Sequence, residues 1–164
     1  MMKSLVVYYS RTGNTKTAGE AIAKELGADR EEIIDMKKRT GLKPIRWLIA
    51  GMDARRRKQT NIRTQKKPEA YDMIIVGTPI WGGKMAPAVR TYLTNNNLGG
   101  KKVGFFCTAG GSGTEKAFEE VKKLAPKSSV VGSLGILADE VESGSYKEKV
   151  KSFVKSLGSR KNGN

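Results

Sequence analysis

Hydrophobic positions along this chain alternate between two periods. Leu5-Val6-Val7-Tyr8-Tyr9 is a continuous apolar run, the pattern of a strand buried on both faces. Ala18, Ala21, Ile22 and Leu26 follow at spacings of three and four, the stripe of an amphipathic helix. The same alternation predicts strands over residues 3–9, 31–36, 73–76, 103–107 and 130–137. It predicts helices over 14–26, 42–57, 87–93, 117–124 and 146–157. Residues 59–68 are polar and aperiodic, a loop, and the tail 158–164 reads as disordered. Five strands alternating with five helices predict an α/β fold: a parallel, doubly wound sheet with helices on both faces, in three layers. Helix 42–57, with Leu42, Ile45, Leu48, Ile49 and Met52 at helical spacing, is expected to pack on that sheet as its second crossover.

Length and composition narrow the class. The 164 residues suit a single domain over 1–158 with a basic tail at 159–164. One cysteine, Cys107, precludes an internal disulfide and fits a reducing, cytoplasmic setting. No histidine is present, which removes imidazole bases, His-containing triads and most zinc sites. No apolar run approaches the roughly 20 residues that span a bilayer, and the N-terminus leads directly into a strand, with no sign of a signal peptide. Net charge is +15, and it is uneven. Residues 37–67 hold twelve Lys or Arg against one acid, Asp53, so 12 − 1 = 11 positive charges sit in that segment. Such a segment attracts an acidic protein, a nucleic acid or an anionic membrane surface, or serves as a solvated face.

Ligands of such sheets bind beyond the carboxyl ends of the strands. Three loops emerge there. Ser10-Arg11-Thr12-Gly13-Asn14-Thr15 joins the first strand to the first helix and is almost entirely hydroxyl, amide and glycine. It reads as a phosphate cradle at a helix start, where N–H groups are unpaired and the dipole favours an anion. Thr78-Pro79-Ile80-Trp81-Gly82-Gly83 follows the third strand and offers an indole in a loop, placed for stacking on a planar ring rather than for core packing. Cys107-Thr108-Ala109-Gly110-Gly111-Ser112-Gly113 follows the fourth, with glycines that let backbone approach a flat ligand. Cys107 itself reads as a small buried hydrophobe rather than a redox thiol. Neither the dinucleotide glycine fingerprint nor a P-loop is present.

These three loops, in this order, resemble those of the short-chain flavodoxins, and the resemblance runs from Leu5 to Leu157. It implies a five-stranded sheet in the order 2-1-3-4-5. It implies non-covalent FMN with its phosphate on Ser10, Thr12, Asn14 and Thr15 and its ring beside Trp81. The peptide at Gly82 or Gly83 would meet flavin N5, and Thr108 to Gly113 would border the pyrimidine end. No metal and no catalytic side chain is implied. The chain departs from the family in three ways. It is basic where flavodoxins are usually acidic. Its third loop has no aromatic, leaving one ring face open unless Tyr146 or another remote aromatic covers it. Arg11 sits inside the phosphate loop.

The function so implied is a low-potential electron carrier between redox proteins, with acidic docking faces on donors of the ferredoxin-like kind. The alternative on the same fold is an NAD(P)H-dependent flavin or quinone reductase, suggested by the open ring face. A nucleic-acid or membrane-surface role for helix 42–57 is a third reading, supported by Trp47 within a basic amphipathic stretch.

Overall fold

The computed structural model describes residues 2–37 and 43–159. Lys38, Arg39 and Leu42 and the tail 160–164 therefore lie outside the described residues. Elements run in the order β1 (Ser4–Tyr8), α1 (Asn14–Leu26), β2 (Asp29–Glu32), β3 (Ile34–Asp35), α2 (Lys43–Arg55), β4 (Ile62–Arg63), β5 (Met73–Trp81), β6 (Lys84–Met85), α3 (Pro87–Asn95), β7 (Lys102–Ala109), α4 (Thr114–Leu124), β8 (Ser129–Leu137), α5 (Ala138–Ser143) and α6 (Tyr146–Ser159). The parallel strands are ordered β2-β1-β5-β7-β8, and β6 pairs antiparallel with β5. That is the expected 2-1-3-4-5 order, with helices on both faces.

Strand side chains divide between the two faces by simple alternation. Leu5, Val7, Ile74, Val76 and Phe105 join Val89, Tyr92 and Val121 of α3 and α4 in one cluster. Val6, Tyr8, Met73, Ile75 and Phe106 join Ile22, Val150 and Phe153 of α1 and α6 in the other. The chain turns in opposite directions from β1 and β5, which are neighbours paired from Ser4↔Met73 to Tyr8↔Gly77. This is the switch point, and the loops after β1 and β5 diverge there.

The structure differs from the sequence reading in several places. The second strand is centred earlier, over Asp29–Glu32, paired with Leu5–Tyr8. Ile34–Asp35 instead forms a small antiparallel pair with Ile62–Arg63, inside the stretch read as loop. The polar edge of β2 explains the error: Glu31 accepts from the N–H groups of Gln65 and Lys66 at 2.7 and 3.2 Å, so acid side chains, not apolar ones, fix this strand. Gly158 and Ser159 continue α6 rather than starting a tail.

Helix α2 forms over nearly the expected span but turns a different face inward. Ala50, Asp53 and Ala54 are its buried residues, and it packs against β5 and β6. Small side chains allow close approach, and the buried Asp53 carboxylate pairs with Lys37 and, at 3.6 Å, with Lys58. Ile45, Leu48 and Met52 are left exposed. No helix among the described residues is long and apolar enough to cross a membrane.

Candidate functional site

The first loop is built around Gly13. Its φ of 105° is a backbone setting that costs glycine little and other residues considerably more. Ser10 accepts two backbone hydrogen bonds at Oγ, from Gly13 N–H at 3.2 Å and Lys16 N–H at 3.1 Å. It therefore caps α1 itself. Of the first-turn donors, those of Asn14 and Thr15 have no intrahelical acceptor by position. Both residues, with Arg11 and Thr12, line a cleft at the carboxyl edge of the sheet. No acid stands in the first turn of α1, so the positive end of its dipole is not offset locally. Thr15 Oγ1 also meets Thr108 Oγ1 at 2.7 Å, which ties the first loop to the end of β7.

The second loop is not a loop up to Trp81. Thr78, Pro79, Ile80 and Trp81 are the end of β5, which turns through Gly82 and Gly83 into β6. Those two glycines have φ of 55° and 76°, the pair of positive angles that a tight two-residue hairpin demands. Thr78 is buried; its Oγ1 donates to Pro79 O at 2.9 Å and accepts from Ala86 N–H at 3.0 Å, closing the base of the hairpin. Pro79, Ile80 and Trp81 line the cleft. Trp81 is only 5% exposed, against the exposed indole expected from sequence. The hairpin folds it back, and the Tyr9 ring stands edge-on to it at 5.6 Å.

From the third loop, Thr108, Ala109 and Gly110 line the cleft. Gly111, Ser112 and Gly113 lie outside its lining, Gly113 serving as N-cap of α4 at φ 108°. Cys107 is fully buried in β7, and burial pushes its thiol pKa up to about 12. It is a packing residue, as the sequence suggested, and does not line the cleft.

Two lining residues escaped the sequence reading: Trp47 of α2 and Ala138 at the start of α5. The Arg11 guanidinium lies 4.7 Å from the centre of the Trp47 ring and 5.4 Å from that of Trp81. Arg11 also donates a long hydrogen bond to Arg46 O, at 3.5 Å. The cleft thus has an indole from β5, an indole from α2 and a planar cation against both, in about 240 Å3. Arg11 is the one charged residue in its lining among the described residues. Tyr146, the other aromatic named, opens α6 and is buried in the core cluster that α6 shares with α1, and it does not line the cleft. The available signal for Trp47 was a large aromatic on a helix one crossover away from a third loop that has none.

A flavodoxin family model matches residues 3–156, almost the whole chain. The chain belongs to the flavodoxin family. Among solved structures, the chain resembles a flavoprotein in complex with FMN from Lactobacillus acidophilus, at 24% identity, covering 88% of this chain and 99% of that one with a TM-score of 0.70. It resembles a candidate flavoprotein from Bacteroides uniformis at 25% identity, covering 94% and 98%, TM-score 0.77. Oxidised Flavodoxin 2 from Bacillus cereus is similar at 24% identity, covering 96% and 99%, TM-score 0.60. This flavodoxin carries its polar helix start, its hairpin indole and its short third loop on one sheet edge, at the switch point.

Proposed function

We propose that this flavodoxin binds FMN non-covalently in the cleft and carries electrons at low potential between redox proteins. The observation that supports it most directly is the composition of the cleft: helix-start donors without a local acid at one part, indoles at another, both at the β1–β5 switch point. The donor set fits a phosphate monoester. Thr12, Asn14 and Thr15 would hold it, with Ser10 supporting the loop from behind. Trp81 and Trp47 would flank the ring, so the face that the sequence left open has an aromatic after all. Thr108 to Gly110 would border the polar end of the ring through backbone.

The bound flavin supplies the redox chemistry, and the protein sets its affinity and potential. Arg11 now stands against both indoles, so admitting a planar ring between them requires that guanidinium to move. Once displaced it remains a cation next to an anionic ligand. A turn of the Gly82–Gly83 hairpin peptide on reduction would carry no Cβ strain, since both residues are glycine. The basic residues that follow α2, Arg63 and Lys67 among them, would meet redox partners with acidic faces.

Acid release of the chromophore from purified protein tests the cofactor: FMN at about one per chain is expected, and FAD or no flavin would refute it. With Trp47 on its second side, a bound ring would lack the open face on which the reductase alternative rests. Steady-state NADPH oxidation with quinones separates the two, with no turnover expected for a carrier.

A further inference from the structure

The large hydrophobic side chains exposed among the described residues all fall in one short stretch: Ile34, Met36, Ile45, Trp47, Leu48 and Met52. Elsewhere the described surface has none. Four of them belong to α2, where Ile45, Leu48 and Met52 repeat at three and four residues, the stripe that ordinarily faces a core. Here the stripe points out. Leu48, at 65% exposure, is the extreme case. The helix docks instead through Ala50, Asp53 and Ala54. Its flanks are cationic: Lys43, Arg55 and Arg56 are exposed, and the lone acid of the helix, Asp53, is buried and paired with Lys37.

We infer that α2 is a membrane-surface helix that seats this protein on anionic lipid. A helix of 13 residues is about 20 Å long, enough to lie in the headgroup plane with its apolar stripe toward the acyl chains. Lys and Arg at its ends meet anionic headgroups, and a half-exposed Trp suits the interface. Charge complementarity selects this occupant. A second copy would bring two strongly positive surfaces together. A nucleic acid would use the cations and leave the outward Ile45, Leu48 and Met52 without a role, and so would an acidic redox partner that recognises charge alone. The inference does not depend on FMN. Since Trp47 also lines the cleft, the docked molecule holds the cleft beside the lipid surface.

Flotation of the purified holoprotein with vesicles tests it. At 0.1 M salt, binding to vesicles containing phosphatidylglycerol is expected to be at least tenfold tighter than to pure phosphatidylcholine. The double variant Ile45→Gln/Leu48→Gln keeps the charge, replaces only exposed side chains and leaves the cleft lining intact. It should bind the anionic vesicles at least tenfold more weakly, with an unchanged circular dichroism spectrum and unchanged FMN content. No flotation with anionic vesicles overturns the inference. So does undiminished flotation of the double variant, which would reduce the interaction to charge. Equal capture by double-stranded DNA or polyglutamate, insensitive to the double substitution, would make the patch a general polyanion site and overturn it as well.

Discussion

Gly77 sits in β5 against the fully buried ring of Phe106. An added Cβ would lie 2.1 Å from Phe106 Cζ, and a ring wedged between strands and α6 has nowhere to go. Gly77→Ala should therefore destabilise the fold by about 1–3 kcal/mol, the range for overpacked cores, read as a lowered urea midpoint. Cys107 gives a second test at this scale. Burial alone raises its pKa to about 12, so at pH 8 it is a thiol, not a thiolate, and out of reach. A disulfide reagent should leave the native protein untouched at that pH and label one thiol per chain after unfolding; fast labelling of native protein would show that β7 is not where the structure has it. Arg11 is the cleft residue whose role the sequence reports least. Its place in the phosphate loop marks it only as a departure from the family pattern, whereas its guanidinium rests on two indoles.

At the level of elements, legibility followed whether the apolar stripe and the buried face coincide. In α1 and α6 they do: Ala18 and Ile22, and Val150, Phe153 and Leu157, were readable and are buried. In α2 they do not. The inward face is set by small residues and the ion-paired Asp53, a choice that hydrophobic period cannot report, and so Trp47 was missed as a cleft residue. The hairpin at Gly82–Gly83 was equally hidden, because a glycine pair after a strand reads as a loop until its partner strand is seen. Elements are also joined by charges. Buried Glu120 of α4 meets Arg90 of α3 at 2.8 Å and Arg57, just after α2, at 2.9 Å. Glu120→Ala strands the buried Arg90 guanidinium and should cost about 3–5 kcal/mol in chemical denaturation; a loss well under 1 kcal/mol would mean the pair is solvated. Glu140 at the start of α5 accepts from Leu137 N–H at 2.8 Å and pairs with Lys149, and both hold its pKa below the ordinary glutamate value. Its stabilising effect is thus present above the unfolded-state pKa and lost as pH falls through the lower folded one. Glu140→Gln should flatten the acid side of the stability profile below about pH 4.5 while leaving neutral pH dependence unchanged.

For the whole molecule, the strand order and the edge that bears the site were legible because the alternation of periods admits few topologies, while the distribution of charge has its own consequence. With net charge +15, the long-range field favours an anionic reduced ligand. One positive charge about 10 Å away contributes roughly 0.4 kcal/mol in water-like surroundings. At about 59 mV per 1.4 kcal/mol for one electron, several such charges amount to tens of millivolts. The low-potential step should accordingly be less negative than in acidic flavodoxins and should fall as ionic strength rises. Potentiometric titrations that overlay from 20 mM to 1 M salt would remove the basic segment from any role in tuning.

The central claim is that Trp81 and Trp47 face a flavin whose phosphate rests at the start of α1. FMN added to flavin-free protein, followed by flavin fluorescence, tests it most directly. The expected course is near-complete quenching to a 1:1 end point, with at least tenfold weaker binding in Trp81→Ala and recovery of affinity in Trp81→Phe. FMN that stays fully fluorescent with micromolar protein in excess would contradict the account.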